Sequence, residues 1–437
     1  MENIKMSDFK ITMSWTGSDD DNIIFNNTTA DLSINVGGTF LTQNISGWTK
    51  TVQDSILVST YPLAKWFAYY WWRLENEYLI LNDRKPDYNW RIAHEIGAVD
   101  NGYVWPKVLF ASDGEFINIW SDIITTPYQF VNYIGKLDVV QFVPIKVFQN
   151  EVAALIESTV SKISALDKDL SELWKIVCDE RNVPETSNMR KIEAVLGYDP
   201  EECPEDLLAK VLSFQKHVGV SSIKEIAPFL SSDSELQGFL QTAKGFESNP
   251  QVKQNQIEIG NKNVLPWQQG VSAARQLRKL CNLGDGAIKN CELLDLLGIA
   301  SNGLSDYNNC SADIPVSVGK NETDGKWTLI PRAKGFETSQ RFELARFLGD
   351  SLIYKDSNRE WLVTSDYKSS RQKSQIAFAG EFLCPMHSLD NFLNCDYSET
   401  RREKAASYFN VSIQTIDTLL LNNGRIERDK RAFPYSV

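Results

Sequence analysis

The sequence predicts a multidomain α+β protein with three regions. In residues 1–140, apolar and polar residues alternate between Asn and Gly turn signals and aromatic side chains are abundant, which predicts a strand-rich α+β domain. In residues 141–262, apolar residues recur at spacings of three and four, which predicts a helical region. Residues 263–437 form the last region, where a series of motifs predicts a mostly helical domain.

Composition narrows the class of protein before any motif is considered. A chain of 437 residues, of which 42% are hydrophobic, is long enough for two or three domains with apolar cores. No run approaches the roughly eighteen apolar residues that a membrane span needs, and the polar start "MENIKMSDFK" differs from a signal peptide. We therefore expect a cytoplasmic protein that does not enter a membrane.

The cysteines and the net charge bear on two further classes of protein, those stabilised by disulfides or zinc and those that bind nucleic acid. Seven scattered cysteines, without a C-x-x-C pair, favour reduced thiols over a disulfide framework or a zinc ribbon. A net charge of −12 disfavours broad adhesion to nucleic acid, because such binding depends on Lys and Arg neutralising phosphates. A local basic patch remains compatible with this charge.

Strand and helix signals are mixed within the first region. The stretch 22–45 and the stretch 102–122 predict hairpin-linked strands, the second with a turn at Ser112 to Gly114. Between them, residues 62–80 predict a helix that begins at Pro62.

Aromatic residues of the first region allow two interpretations. Eight of the twelve tryptophans lie there, and they form either an aromatic core or a groove for a ligand or partner. The residues proposed for such an aromatic surface are Trp66, Tyr70, Trp71 and Trp72. His94 and Glu95 imitate the start of a H-E-x-x-H zinc motif, but Ala98 replaces the second histidine, so we expect a structural or surface role for His94.

The second region predicts one long amphipathic helix followed by shorter ones. Its apolar stripe runs from Ile156 to Val177 and is interrupted at Asp167. A further helix is expected to end at Gly197, before an acidic loop, and residues 248–263 are expected to link to the last region.

The last region contains five motifs in a characteristic order. They are "AARQLRKLCNLGDG", "LLDLLGI", "KWTLIPRAKGFETSQRFELARFLGD", "RQKSQIAFAGEFLCPMHSL" and "AASYFNVSIQTIDTLLLNNGRI". From about Trp267 onwards, their order and spacing resemble the ImmA/IrrE metallo-endopeptidase family. The resemblance implies a zincin-like fold and, in active members, a zinc site formed by two histidines and a later glutamate, with a glutamate between the histidines as general base.

All four catalytic positions of that family differ in this chain. The two histidines correspond to Arg346 and Asp350, the general base to Phe347, and the later glutamate to Gln372. Arg does not act as a ligand, Phe transfers no proton and Gln is a weak neutral ligand. Arg346 and Asp350 lie four residues apart on one helix face, so we expect them to pair with each other and with Gln372, while Phe347 fills the space of the base.

These substitutions favour a non-catalytic interaction or regulatory protein that has no cofactor and binds a protein or peptide partner. The resemblance implies a bacterial mobile-element, toxin–antitoxin, stress-response or phage-defence setting. The first alternative is an active metallopeptidase whose metal has moved to Cys384 and His387. The second is a transcriptional regulator that binds DNA through a helix-turn-helix in residues 405–424, although the expected recognition helix has no Arg or Lys on its exposed positions.

Overall fold

The structure is a computed structural model. It describes residues 6–79, 86–99, 105–123, 130–163, 166–231, 233, 235–250, 252, 256–258, 264–300, 302–322, 326–354 and 360–427. The described part of the chain is a mixed α/β protein with small antiparallel sheets. It forms two compact units that divide after Leu208, here called the N-terminal unit and the C-terminal unit.

The N-terminal unit contains ten strands and seven α-helices in its described residues. The strands are β1 Phe9–Trp15, β2 Thr29–Val36, β3 Thr39–Phe40, β4 Asn44–Ser46, β5 Val52–Gln53, β6 Ile56–Ser59, β7 Lys107–Ser112, β8 Phe116–Asp122, β9 Val131–Tyr133 and β10 Gln141–Pro144. The helices are α1 Ile23–Asn27, α2 Tyr61–Tyr69, α3 Trp71–Asn76, α4 Tyr88–His94, α5 Ile145–Ile163, α6 Asp169–Asn182 and α7 Pro184–Val195.

Three antiparallel sheets organise this unit. Strand β2 pairs with β1, β3 and β6, strand β8 lies between β10 and β7, and β4 lies between β5 and β9. The predicted hairpin is confirmed, since Lys107 pairs with Asp122 and Ser112 with Ile117 on either side of the turn. The predicted strand at Ile23–Asn27 is wrong, because the Asn22 side chain accepts hydrogen bonds from the backbone N–H of Ile24 and Phe25 and begins helix α1.

The long helix predicted from Ile156 to Val177 is two helices. Helix α5 ends at Ile163 and α6 begins at Asp169, and the Asp167 carboxylate accepts a hydrogen bond from the Asp169 N–H at 3.2 Å. An Asp side chain that bonds the backbone two residues ahead favours a turn over continued helix.

The C-terminal unit contains four strands and eleven helices in its described residues. The strands are β11 Phe246–Ser248, β12 Ser317–Asn321, β13 Trp327–Ile330 and β14 Leu362–Thr364. The helices are α8 Glu205–Val218, which spans the division between the units, α9 Val220–Leu230, α10 Leu236–Thr242, α11 Pro266–Leu280, α12 Asn290–Leu297, α13 Gly303–Cys310, α14 Glu337–Ile353, α15 Ser370–Leu383, α16 Met386–Leu393, α17 Glu399–Phe409 and α18 Ile413–Asn422.

One antiparallel sheet and two buried helices build the core of this unit. The strand order is β11-β13-β12-β14, so β14 is an edge strand. Helices α14 and α15 have buried residues on almost every side and pack against each other and α11. Helix α14 carries Arg346 and Asp350 and lies beside β14, and α15 carries Gln372, so these three side chains lie at the edge of the sheet.

The unit boundary differs from the predicted regions. The segment 141–262 is shared between both units, because Val152, Leu155 and Ile156 of α5 belong to the apolar core of the N-terminal unit. The predicted linker 248–263 lies partly outside the described residues. None of the helices in the described ranges combines the length and the apolar character that crossing a bilayer requires.

Candidate functional site

Three of the four motif residues, Arg346, Asp350 and Gln372, meet at the outer edge of strand β14. Antiparallel pairing of β14 with β12 uses one side of the strand, and the other side presents the backbone groups of Trp361, Val363 and Ser365. These groups are not left open. The Trp361 N–H donates to the Val218 backbone carbonyl, and side chains from α9, α14 and α15 hydrogen-bond to the other groups, so no further strand can pair there.

Arg346 and Gln372 seal the edge at Ser365. The Arg346 guanidinium donates to the Ser365 carbonyl at 2.6 Å and to Gln372 Oε1 at 2.5 Å. The Ser365 N–H donates to the same Gln372 oxygen at 3.1 Å. At its other end the Gln372 amide donates to the Val363 carbonyl at 3.0 Å, so one fully buried amide side chain bridges two residues of the edge.

Asp350 does not pair directly with Arg346 as expected from their helical spacing. Arg371 donates two hydrogen bonds to its carboxylate, from Nε at 2.8 Å and from Nη2 at 2.7 Å. The Val363 N–H also donates to Asp350, at 3.2 Å. A bidentate guanidinium satisfies a buried carboxylate better than a neighbour on the same helix, and Arg346 is instead directed to Ser365 and Gln372. The connection between Arg346 and Asp350 runs through Gln372 and Val363.

Glu343 supplies the negative charge next to Arg346. Its carboxylate lies 3.5 Å from Arg346 Nη1 and accepts a hydrogen bond from Arg332 Nε at 3.1 Å. The hydroxyls of Ser317 and Thr364 each donate to it at 2.5 Å. Burial alone raises the pKa of this carboxyl, but the two Arg charges and the hydroxyl groups lower the pKa to about 2.

Phe347 has no part in this polar network. Its side chain is fully buried and belongs to the main apolar core of the C-terminal unit. Because it follows Arg346 by one residue on the helix, it projects from a different side of α14. Phe347 is therefore a core side chain that has no group able to transfer a proton.

The residues at the four motif positions do not fit a zinc ion. Arg346 is a cation with hydrogen-bonded partners, Gln372 Oε1 already accepts two hydrogen bonds, and Asp350 is held by Arg371. Zinc needs several deprotonated or neutral donors that converge on one point. Within the described ranges, no three His, Cys, Asp or Glu side chains form a candidate metal centre.

Cys384 and His387, the alternative donors, have different environments. Cys384 is fully buried, and burial raises the pKa of its thiol, which disfavours the thiolate that binds metals. His387 is half-exposed and lies 2.9 Å from Asp285. Although the two residues are close in sequence, the Cys384 thiol lies in the core and the His387 imidazole lies at the surface.

The proposed aromatic surface lies mostly in the core. Trp66 is 7% exposed and Trp71 and Trp72 are 2% exposed, so these three residues form core instead of an open groove. Trp66 packs against Phe67, Trp71 packs against Trp174, and Trp72 Nε1 donates to Glu180. Tyr70 keeps partial exposure. His94 is fully buried, stacks on Trp90 and contacts Glu77 Oε2 at 3.0 Å, which is a structural position.

The helix pair α17 and α18 has the predicted turn, and the exposed residues of α18, the expected recognition helix, are uncharged. The exposed residues of α18 are Ile413, Gln414, Thr418 and Asn422. Arg402 of α17 forms an ion pair with Asp417, and Arg425 forms one with Asp390. Phosphate binding depends on available cations, so this surface offers little of what DNA binding requires.

Four charged residues of the site were missed from the sequence. They are Glu225, Arg332, Glu343 and Arg371. Glu343 and Arg371 could have been found, since Glu343 lies three residues before Arg346 and Arg371 adjoins Gln372. Glu225 gave no such signal, because its partner Ser369 is 144 residues away in the chain.

Comparison of the chain with protein-family models, with curated proteins and with solved structures finds no match. The resemblance to ImmA/IrrE peptidases therefore stays a prediction that depends on the motifs and their order.

Proposed function

We propose that this protein is a non-catalytic interaction or regulatory protein, and that residues 263–437 are a degenerate ImmA/IrrE-type peptidase domain. One observation carries the proposal: Arg346, Asp350 and Gln372 hydrogen-bond directly to the edge of β14. Residues that the resemblance assigns to zinc binding instead complete the hydrogen bonds of a sheet edge, which is a structural task.

The proposal includes a protein or peptide as the partner and a bacterial setting of the kind in which the family occurs. A protein with a peptidase fold but without the catalytic residues still has a surface that can bind other molecules, so its function depends on what that surface binds. The N-terminal unit adds a further exposed feature, since Trp48 and Phe130 are 81% and 66% exposed and stack with ring centroids 5.6 Å apart.

Metal analysis tests the non-catalytic part of the proposal. Wild-type protein purified without chelators and a Cys384→Ser/His387→Ala variant are compared by elemental mass spectrometry and in a peptide-cleavage assay. We expect far less than one transition metal per chain in both proteins and no cleavage. Near-stoichiometric metal together with peptide cleavage in the wild type overturns the proposal. If the variant then loses both the metal and the cleavage, the metal centre is assigned to Cys384 and His387.

Reconstitution tests the interaction part. A candidate partner that co-purifies with the chain is produced separately, mixed with it and measured by analytical ultracentrifugation. We expect a complex of defined stoichiometry that forms from the two purified proteins. A co-purifying protein that forms no complex when pure does not support the proposal. A mobility shift of DNA that weakens steeply with salt favours the regulator that binds DNA instead.

A further inference from the structure

Helices α12 and α13 line an open cavity of about 460 Å³ at the surface of the C-terminal unit, here called the α12–α13 cavity. Its wall is mostly apolar and includes Leu294, which is 4% exposed, and Leu304. The polar residues Asn290, Cys291 and Asp295 also line it. A concave apolar space of this size with a few polar groups is typical of a binding site, so the cavity can take an apolar side chain.

An exposed aromatic side chain precedes helix α14. Phe336 is 76% exposed, so most of its ring is in contact with water, and its removal from water would be favourable. The turn that carries it is held in place, because Gln340 Nε2 donates to the Lys334 carbonyl at 3.0 Å and to Asn308 Oδ1 of α13 at 2.7 Å. A ring on a turn that is already held loses little conformational freedom when it binds.

Phe336 lies beside the α12–α13 cavity. The next residue, Glu337, accepts a hydrogen bond at 2.8 Å from Nδ2 of Asn290, which lines the cavity. One turn further along α14, Arg341 Nη2 donates to the Ile288 carbonyl just before α12 at 2.6 Å. When a projecting side chain and a cavity share one face, two copies related by a two-fold axis can each place the side chain in the cavity of the other, and the contact closes as a dimer.

The charges at the two ends of α12 are complementary in such a dimer. Lys289 is exposed at the N-cap of the helix, and Asp295 is exposed in its last turn. Both charges oppose the helix dipole, which favours acidic side chains at the N-terminus and basic ones at the C-terminus. Among the described residues, neither side chain forms an ion pair. In an antiparallel pair of α12 helices, Lys289 of each copy lies opposite Asp295 of the other, so both charges gain a partner.

We propose that this face is the interface of a homodimer, in which Phe336 of each copy enters the α12–α13 cavity of the other and Lys289 pairs with Asp295 across the two-fold axis. The occupant of the cavity is thus a second copy of this chain. A contact of one ring and one ion pair from each side is small, so we expect a weak dimer with a Kd of about 10–100 µM. The inference goes beyond the proposed function and does not depend on it, because no residue of the β14 edge takes part.

Sedimentation equilibrium tests the dimer and the part of Phe336 in it. Wild type, Phe336→Ala and Tyr88→Ala are compared over a range of concentrations, and Tyr88 is the matched control because it is 75% exposed in the N-terminal unit. We expect Phe336→Ala to raise the Kd at least about tenfold, since the dimer loses two rings, and Tyr88→Ala to leave it unchanged. A wild type that stays monomeric at about 300 µM overturns the inference and leaves this face to a different protein. An equally tight Phe336→Ala dimer also overturns it.

Charge reversal tests the two-fold arrangement. Lys289→Glu and Asp295→Lys each place like charges opposite each other at both contacts, so we expect each variant alone to dimerise at least about fivefold more weakly than wild type. An equimolar mixture of the two variants has opposite charges at both contacts of the heterodimer. We expect its Kd to return to within about threefold of the wild-type value. A mixture that associates no more tightly than the single variants overturns the arrangement.

Disulfide cross-linking tests which cavity the ring enters. Cys291 lines the cavity and its side chain is exposed, so a thiol introduced by Phe336→Cys should reach it in the dimer. The variant is oxidised with oxidised glutathione and mapped by mass spectrometry of its peptides, and Phe336→Cys/Cys291→Ser is the control. We expect a covalent dimer joined through Cys291 that the control does not form. A disulfide within a single chain, or none to Cys291, overturns the placement of Phe336 in the cavity of a second copy.

Discussion

At the scale of single residues, two buried carboxylates of the site are paired with guanidinium groups. Asp350 has Arg371, and Glu343 has Arg332 and Arg346. A buried ion pair adds little compared with apolar residues of the same shape, but removal of one partner leaves an uncompensated charge. Among the described residues, the Nε of Arg346 has no hydrogen-bond partner, so this buried donor of the network is unsatisfied.

Loss of Arg371 should destabilise the fold strongly. Arg371→Met leaves the fully buried Asp350 carboxylate without its bidentate partner, and we expect a loss of about 3–5 kcal/mol in unfolding free energy. The control is Arg425→Met, which breaks an Arg–Asp pair of similar geometry at the surface. Urea unfolding of both variants measures the difference. Equally small losses would mean that the buried pair contributes no more than a surface pair.

Glu343 should make stability depend on acid pH. Its folded pKa of about 2 lies below its ordinary 4.5, so its charge stabilises the fold above pH 4.5 and this contribution is lost as pH falls towards 2. We expect the stability difference between wild type and Glu343→Gln to shrink by on the order of 3 kcal/mol between pH 7 and pH 2. Denaturant unfolding across this range measures it. A difference that stays constant with pH would contradict the assignment.

At the scale of helices, close backbone approach holds the centre of the C-terminal unit together. A Cβ atom on Gly270 of α11 would lie 2.1 Å from the Ser374 carbonyl oxygen and 2.9 Å from the Phe378 nitrogen of α15. Both are backbone atoms, so neither can move aside as a side-chain end could. The glycine therefore sets the distance between these two helices.

Gly270→Ala should separate α11 from α15. We expect a loss of about 1–3 kcal/mol, because the added methyl group forces the helices apart. The control is Gly238→Ala in α10, where no atom lies within 4 Å of the added Cβ, and a gain of about 0.5–1 kcal/mol is expected from helix propensity. Thermal and denaturant unfolding distinguish the two. A neutral Gly270→Ala would show that the helices tolerate a larger separation.

At the scale of the whole molecule, the sequence predicts local structure better than long-range contacts. The hairpin at Lys107–Asp122 could be predicted because its turn and alternation are local. The meeting of Arg346 with Gln372 followed only from the motif resemblance, since 26 residues separate them. The place of Glu225 in the site and the unit boundary could not be predicted. Both depend on which distant part of the chain a helix packs against, and the spacing of apolar residues along the helix is the same whichever part that is.

The two compact units should unfold as separate cooperative transitions, because each has its own apolar core. Among the described residues, the core around Phe110 runs from Phe9 to Ala194, and the core around Phe382 runs from Phe246 to Leu420. In differential scanning calorimetry we expect Phe110→Leu to lower one transition and Phe382→Leu the other, each by about 2–4 °C per kcal/mol lost. The two substitutions remove similar buried aromatic volume and are each other's control. If both shift a single common transition, the units form one cooperative core, and changes at β14 would then also be felt at the aromatic core of the N-terminal unit.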